Sequence, residues 1–313
     1  MTEERELLRD TVAALVDKHA PPEAVREAMD SERGYDESLW QMLCEQVGVA
    51  ALVVPEELGG AGGELADAAV ALEELGKALV PAPLLGTTLA EWALLSADEP
   101  DGETLEKLAE GSSVGAVVFD PGYVVNGDVA DVVIATDGET LTRWQSFTAE
   151  PATSMDPTRR LARVHAGETS PMGRDPGLAD IAAILLAAEQ IGAASRCLDL
   201  TVQYTKDRVQ FGRPIGSFQA LKHRMADLYV AVQSARAVVD EAVADPNPTS
   251  AALARVAASE AFSTVAAEAV QLHGGIAITW ESDIQLYFKR AHGSAQLLGP
   301  AREHLRRLES QVF

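Results

Sequence analysis

Apolar residues recur at helical spacing along residues 3–112. Leu7, Leu8, Val12, Leu15 and Val16 share one face, and Leu39, Trp40 and Leu43 begin a second stripe. Pro21-Pro22 separates the two, since proline removes a helix donor. Val53-Val-Pro-Glu-Glu-Leu-Gly-Gly-Ala-Gly-Gly63 reads as a turn between helices, and it lacks the lysine-bearing pattern of a phosphate-cradling P-loop. The pattern changes over residues 113–172. Gly115–Phe119, Asp131–Ala135 and Leu161–His165 read as short strands between Gly, Asp and Pro punctuation. Beyond residue 177 helical spacing returns, in Ile184, Leu185, Ala188, Ile191 and Leu198, and then in Leu221, Met225, Leu228 and Val232. Pro246-Asn-Pro248 marks a break, Ala251–Leu272 a long Ala-rich helix stopped by Gly274-Gly275, and Glu281–Arg290 a further helix. The expected fold is mainly α with a small β domain: an N-terminal helical domain (1–112), a middle β domain (113–172) and a C-terminal helical bundle (173–313).

Composition narrows the function. A net charge of −23 over 313 residues argues against nucleic acid, whose affinity rests on bases neutralising phosphates. The charged start Met1-Thr-Glu-Glu-Arg-Glu shows no apolar leader, and no uninterrupted apolar run approaches the ~18–20 residues of a membrane span. Cys44 and Cys197 lack metal or redox spacing and read as reduced core residues, so a cytoplasmic location with no membrane is expected. The six histidines show no zinc spacing, and no metal is expected.

The richest segment is Arg208-Val-Gln-Phe-Gly-Arg-Pro-Ile-Gly-Ser-Phe-Gln219. Arg208 offers a fork of donors suited to a diphosphate, Phe211 an apolar face, and Gly212 a turn without a side chain. About fifty residues on, Gln271-Leu-His-Gly-Gly275 again lets backbone approach a ligand. Taken alone, Arg208 reads as a surface arginine at a helix end and Gly274-Gly275 as an ordinary helix cap.

Together the two segments resemble the C-terminal half of the acyl-CoA dehydrogenases, FAD enzymes that desaturate acyl-CoA thioesters. The loop Val-Pro-Glu-Glu-Leu-Gly-Gly-Ala-Gly and Ala78-Leu-Val-Pro81 are similar to the family as well. The resemblance implies that Arg208, Gln210, Phe211, Phe218, Gln219, Gln271, Gly274 and Gly275 hold the adenosine-diphosphate end of FAD belonging to a neighbouring subunit.

The chain departs from the family in two places. Its middle β domain is about half the family length and lacks the two motifs that flank the flavin ring. The family's catalytic glutamate, which removes a proton α to the thioester, has no counterpart at either of its positions. Leu298 or Gly299 stands at the common one, depending on alignment, and Ala182 at the alternative. Among nearby acids, Asp180 reads as a helix N-terminal charge, Glu189 as a paired buried acid and Glu281 as structural. His273 reads as a packed helix-end residue. The resemblance thus implies a short, base-less subunit of a heteromeric α2β2 assembly, similar to the actinobacterial subunits acting on steroid CoA thioesters. A larger partner would carry the catalytic glutamate and bind most of the acyl-CoA. Two alternatives remain: a self-sufficient homo-oligomer with a displaced base, and a flavin-free scaffold.

Overall fold

The computed structural model describes residues 2–312. Among these, six helices come first. α1 (Glu3–His19) and α2 (Pro22–Asp30) are split at Pro21-Pro22. Asp36 caps α3 (Glu37–Val47) by accepting from the backbone N–H of Ser38 and Leu39, and Gly48 ends it in the left-handed conformation. The glycine-rich stretch after it is a turn holding a short 3-10 segment, Glu56–Leu58. α4 (Leu65–Lys77), α5 (Leu84–Leu95) and α6 (Gly102–Ala109) complete this region.

The strands are β1 (Gly115–Val118), β2 (Val124–Val125), β3 (Val132–Thr136), β4 (Thr140–Trp144), β5 (Phe147–Ala152), β6 (Leu161–Ala166) and β7 (Thr169–Arg174). They form two sheets, β1-β3-β4-β7 and β2-β6-β5, in which only the β1–β3 pairing is parallel. Ala116, Val118, Val124, Val133, Ala162 and Val164 form a small core of their own. The sequence pattern yields three strands here and the structure has seven. Of the four missed, β2 is only two residues long, and β4, β5 and β7 are mostly exposed or half-buried, so they carry little of the apolar alternation that marks a strand.

The C-terminal half is α7 (Leu178–Asp207), a hairpin of β8 (Val209–Gln210) and β9 (Arg213–Pro214), then α8 (Gln219–Ala244), α9 (Pro248–His273), α10 (Ile284–Gln296) and α11 (Ala301–Val312). Pro248 is the first residue of α9, and Asn247 caps it. α10 begins three residues later and ends six residues later than the expected Glu281–Arg290. Gly293 lies inside the helix, where a Cβ would come within 3.2 Å of Asp156 Cβ.

α7 is the axis of the molecule. By length and composition it could cross a membrane, contrary to the expectation from uninterrupted runs, yet it is largely buried between α4, α8 and α9. Glu189 and Gln190 interrupt its apolar run, and both are buried and bonded. Glu189 receives Arg159 and Arg290, while Arg290 also reaches Asp156 at 2.8 Å and the Thr158 carbonyl at 2.8 Å. This buried cluster ties α7 to α10 and to the loop before β6. Two glycines allow α4 and α7 to cross in backbone contact. A methyl group on Gly76 would collide with the Glu189 carbonyl, and one on Gly192 with the Glu73 carbonyl.

One buried group has no such support. Glu91, on α5, is fully buried, and neither carboxylate oxygen has a hydrogen-bond partner among the described residues. Burial holds its pKa well above the ordinary 4.5. The protonated acid's contribution is fully present below about 4.5, where the unfolded chain is protonated too, and is lost as pH rises toward the folded value. Glu91→Met should therefore stabilise the protein at pH 7 by about 1–3 kcal/mol. The gain should shrink toward pH 4, which urea unfolding at the two pH values measures.

Candidate functional site

Short connections make α7, α8 and α9 successively antiparallel, so α7 and α9 end on the same side of the bundle. There the two glycine-bearing segments meet. Tyr204, one turn before the end of α7, stacks on His273, the last residue of α9, with ring centroids 4.1 Å apart and planes 22° apart. Its hydroxyl donates to the His273 carbonyl at 3.2 Å. His273 Nδ1 donates to the Ala269 carbonyl at 2.8 Å, and burial lowers its pKa, which keeps the imidazole neutral at pH 7. Gly274 follows with φ 68° and ψ −148°, a conformation reserved for glycine.

Arg208 ends α7, and its carbonyl accepts from Ile215 N–H at 2.8 Å, closing the hairpin. The hairpin turns through Phe211 (φ 53°) and Gly212 (φ 75°), both left-handed as a two-residue turn requires. Phenylalanine in that conformation is strained, and Phe211 is 92% exposed. Its ring meets Phe218 edge-on at 6.1 Å, and Arg213 lies over Phe218 at 4.0 Å. Gln210, Gln219 and Gln271 are exposed, and Phe218 is half-buried. No atom comes within 4 Å of a Cβ built on Gly212, Gly274 or Gly275, so all three border open space. The first turn of α8 has no side-chain cap, which leaves N–H donors at the same end.

Charge is concentrated here. Between positions 206 and 224 this acidic chain carries five bases, Lys206, Arg208, Arg213, Lys222 and Arg224, against one acid, Asp207. Exposed apolar residues flank the same turn: Ile278 is 76% and Trp280 64% exposed, the latter with Lys289 Nζ 4.5 Å from its ring centre. This end therefore offers donors, positive charge, aromatic surface and unobstructed backbone, the requirements of a dinucleotide diphosphate. Tyr204 and Arg213 are missing from the sequence-derived set. The Tyr–His stack joins residues 69 apart, and no local pattern announces it.

A second feature lies elsewhere in the molecule. A cavity of about 750 Å³ opens between α5, the β region, α10 and α11. Leu85, Leu89, Phe119, Leu297 and Leu298 give it apolar walls. Leu298 is held at φ 60°, with its carbonyl receiving His304 Nε2–H at 3.1 Å. Arg255, fully buried, donates to the Leu297 carbonyl at 2.6 Å, to that of Ser294 and to Gln190. Burial pulls its pKa down to about 10, so it stays charged at pH 7 and suits the carbonyl-rich end of α10.

Ala182 does not line this cavity. It is fully buried in the main core, and Ala179, nearer the start of α7, lines the cavity instead. Two carboxylates also border it, Glu303 and Asp120, which the sequence reading passed over. Both lie outside the aligned base positions, and the fold brings Asp120 to the same cavity as Leu298 and Glu303. The acids that reading singled out are placed as follows. Asp180 lies in the first turn of α7, paired with Arg307 at 2.5 Å, Glu189 lies in the buried cluster, and Glu281 is exposed. Among the described residues no group of His, Cys, Asp and Glu could hold a metal ion.

The comparisons with known proteins bear on both features. Residues 2–112 match the family Acyl-CoA dehydrogenase, N-terminal domain, and residues 178–312 match Acyl-CoA dehydrogenase, C-terminal domain. The acyl-CoA dehydrogenase IpdE2 of Mycolicibacterium smegmatis is 74% identical over 313 residues, covering 100% of both chains. A chain of a Tcur3481-Tcur3483 steroid ACAD variant superposes with TM-score 0.89 at 27% identity, covering 99% of this chain and 98% of that one. A chain of the ChsE4-ChsE5 complex from Mycobacterium tuberculosis gives TM-score 0.88 at 25% identity, covering 100% of this chain and 98% of that one. The chain belongs to the acyl-CoA dehydrogenase family.

Proposed function

We propose that this chain is the FAD-completing, non-catalytic subunit of a heteromeric, α2β2 acyl-CoA dehydrogenase. In this reading a larger partner carries the catalytic glutamate and most of the acyl-CoA site. When bound, FAD supplies the hydride acceptor for α,β-desaturation. This chain supplies position. Arg208 and the uncapped start of α8 take the diphosphate, Gly274 and Gly275 admit it to the backbone, and Phe211, Phe218, Gln210, Gln219 and Gln271 surround the adenosine.

The carrying observation is Phe211, a strained and almost fully exposed aromatic at the centre of a basic patch. Within the chain its ring meets only Phe218, edge-on, among the described residues, and a bound ring or partner surface would cover the rest. The substrate assignment, a steroid-derived CoA thioester, draws on the similarity to a steroid dehydrogenase and to the chain of a two-component complex. Two buried thiols suit the reducing cytoplasm, where we place the protein.

One observation favours the second reading, a self-sufficient enzyme with a displaced base: Glu303 borders the cavity beside Leu298. Under the first reading, Glu303→Gln leaves turnover per bound flavin in the complex unchanged. A loss of about a hundredfold or more would move the proton-abstracting base to this chain.

Purified alone, the chain should bind FAD weakly or not at all, since it offers only the adenosine side. Co-purified with its larger partner, it should carry flavin. Stoichiometric yellow protein from the single chain would favour the homo-oligomer, and a colourless complex the scaffold.

Arg208→Ala should remove a charge-assisted contact of about 1.5–3 kcal/mol. FAD affinity of the complex should fall by one to two orders of magnitude, at about 1.4 kcal/mol per decade. Turnover per bound flavin should stay the same. Full occupancy in the variant would return Arg208 to the role of a solvated surface residue.

A further inference from the structure

The dinucleotide reading leaves Tyr204 unassigned, and the geometry points to a function for it. We infer that Tyr204 is a positioning residue that locks the Gly274-Gly275 turn to the Arg208 hairpin, building the two halves of the nucleotide site into one preformed surface. This rests on the proposed dinucleotide site.

Three observations carry the inference. The two segments sit on different helices, separated by about sixty residues, and each borders open space. Left to themselves they would set the relative position of a diphosphate contact and a backbone contact only loosely, and a positional error near 1 Å is enough to weaken such a site. Tyr204 spans the gap at the level where it matters, one turn before Arg208 and directly against the residue preceding Gly274. It makes two contacts there, the ring stack on His273 and the hydroxyl bond to the His273 carbonyl.

The hydroxyl has a second effect. The last carbonyls of a helix lack intrahelical partners and carry partial negative charge. An anion approaching Gly274 meets that end of α9. By donating to the His273 carbonyl, Tyr204 occupies an acceptor that would otherwise repel a phosphate. The imidazole beneath is already committed, because its Nδ1–H goes to Ala269, so the ring presents a fixed face for stacking. Glycine is the least restrained of residues, so Gly274 does not hold the turn by itself and its position depends on its neighbours.

The test uses the complex with its larger subunit, stripped of flavin and titrated with FAD by fluorescence. Tyr204→Phe keeps the stack and loses the hydroxyl bond. It should weaken FAD binding about fivefold, the equivalent of a single hydrogen bond. Tyr204→Leu loses both contacts and should weaken binding by about thirtyfold, with turnover per bound flavin unchanged and the melting temperature of the flavin-free complex preserved. If Tyr204→Leu lowers that melting temperature while FAD affinity holds, Tyr204 serves packing alone and the inference is overturned. Should the leucine variant fail to assemble, the phenylalanine variant decides by the same affinity measurement. Arg208→Ala in the same titration separates the two levels of the argument. Weakened binding there with unchanged binding in both Tyr204 variants overturns the positioning role and leaves the dinucleotide site standing, whereas unchanged binding in all three overturns both.

Discussion

The crossing of α4 and α7 is the constraint from which the rest follows. Gly76 and Gly192 face each other's helices, each lying against the backbone carbonyl of a glutamate on the other, so the two helices meet without intervening side chains. That approach fixes α7 against the N-terminal helices and sets Glu73 and Glu189 at the contact. Each of these acids then collects arginines from elsewhere: Arg236 of α8 reaches Glu73 at 2.8 Å, and Arg159 and Arg290 converge on Glu189. Buried ion pairs contribute little net stability when desolvation is counted, but they are costly to break singly. They act here as registers that hold the β region, α8 and α10 at defined positions along α7.

From this axis the molecule presents two dissimilar ends. At one, α7 and α9 finish side by side, and the chain exposes a strained phenylalanine together with basic and aromatic groups. Toward the other, Arg255 and His304 hold the Leu297–Gly299 turn over a roomy apolar cavity. A fully buried arginine serves as a cap for the end of α10, and its two terminal nitrogens bond to carbonyl, hydroxyl and amide oxygens in place of a carboxylate. Family membership accounts for the fold shared by both ends. The contrast between a basic, aromatic end and an apolar cavity bordered by Leu298 motivates the division of labour proposed above.

Much of this was legible in the sequence. The apolar stripe of α3 at Leu39, Trp40 and Leu43 follows from spacing alone, as does the α8–α9 break at Pro246-Asn-Pro248. The Arg208–Gln219 segment stands out because arginine, glutamine, phenylalanine and glycine occur together in a short polar stretch. What escaped were features created by tertiary packing. β5 and β7 are too exposed to alternate, and Gly293 sits within a helix close against Asp156. Glu303 reaches the cavity only because α11 folds back there. Ala182 stands at the alternative base position by alignment, and it is fully buried in the main core.

The uneven charge of the chain has a consequence for how it meets other molecules. In a net −23 chain, the five bases and one acid between Lys206 and Arg224 make this end locally positive against an acidic remainder. In the field of an anionic surface such a body is torqued before it touches, so collisions are pre-sorted by orientation and the basic end arrives first. The bias is long-ranged in dilute salt and fades as the screening length shrinks to ~8 Å near physiological ionic strength. In the proposed assembly, rate and lifetime would come under separate control: salt governs how often the faces meet, and the exposed apolar groups Phe211, Ile278 and Trp280 govern how long they stay together.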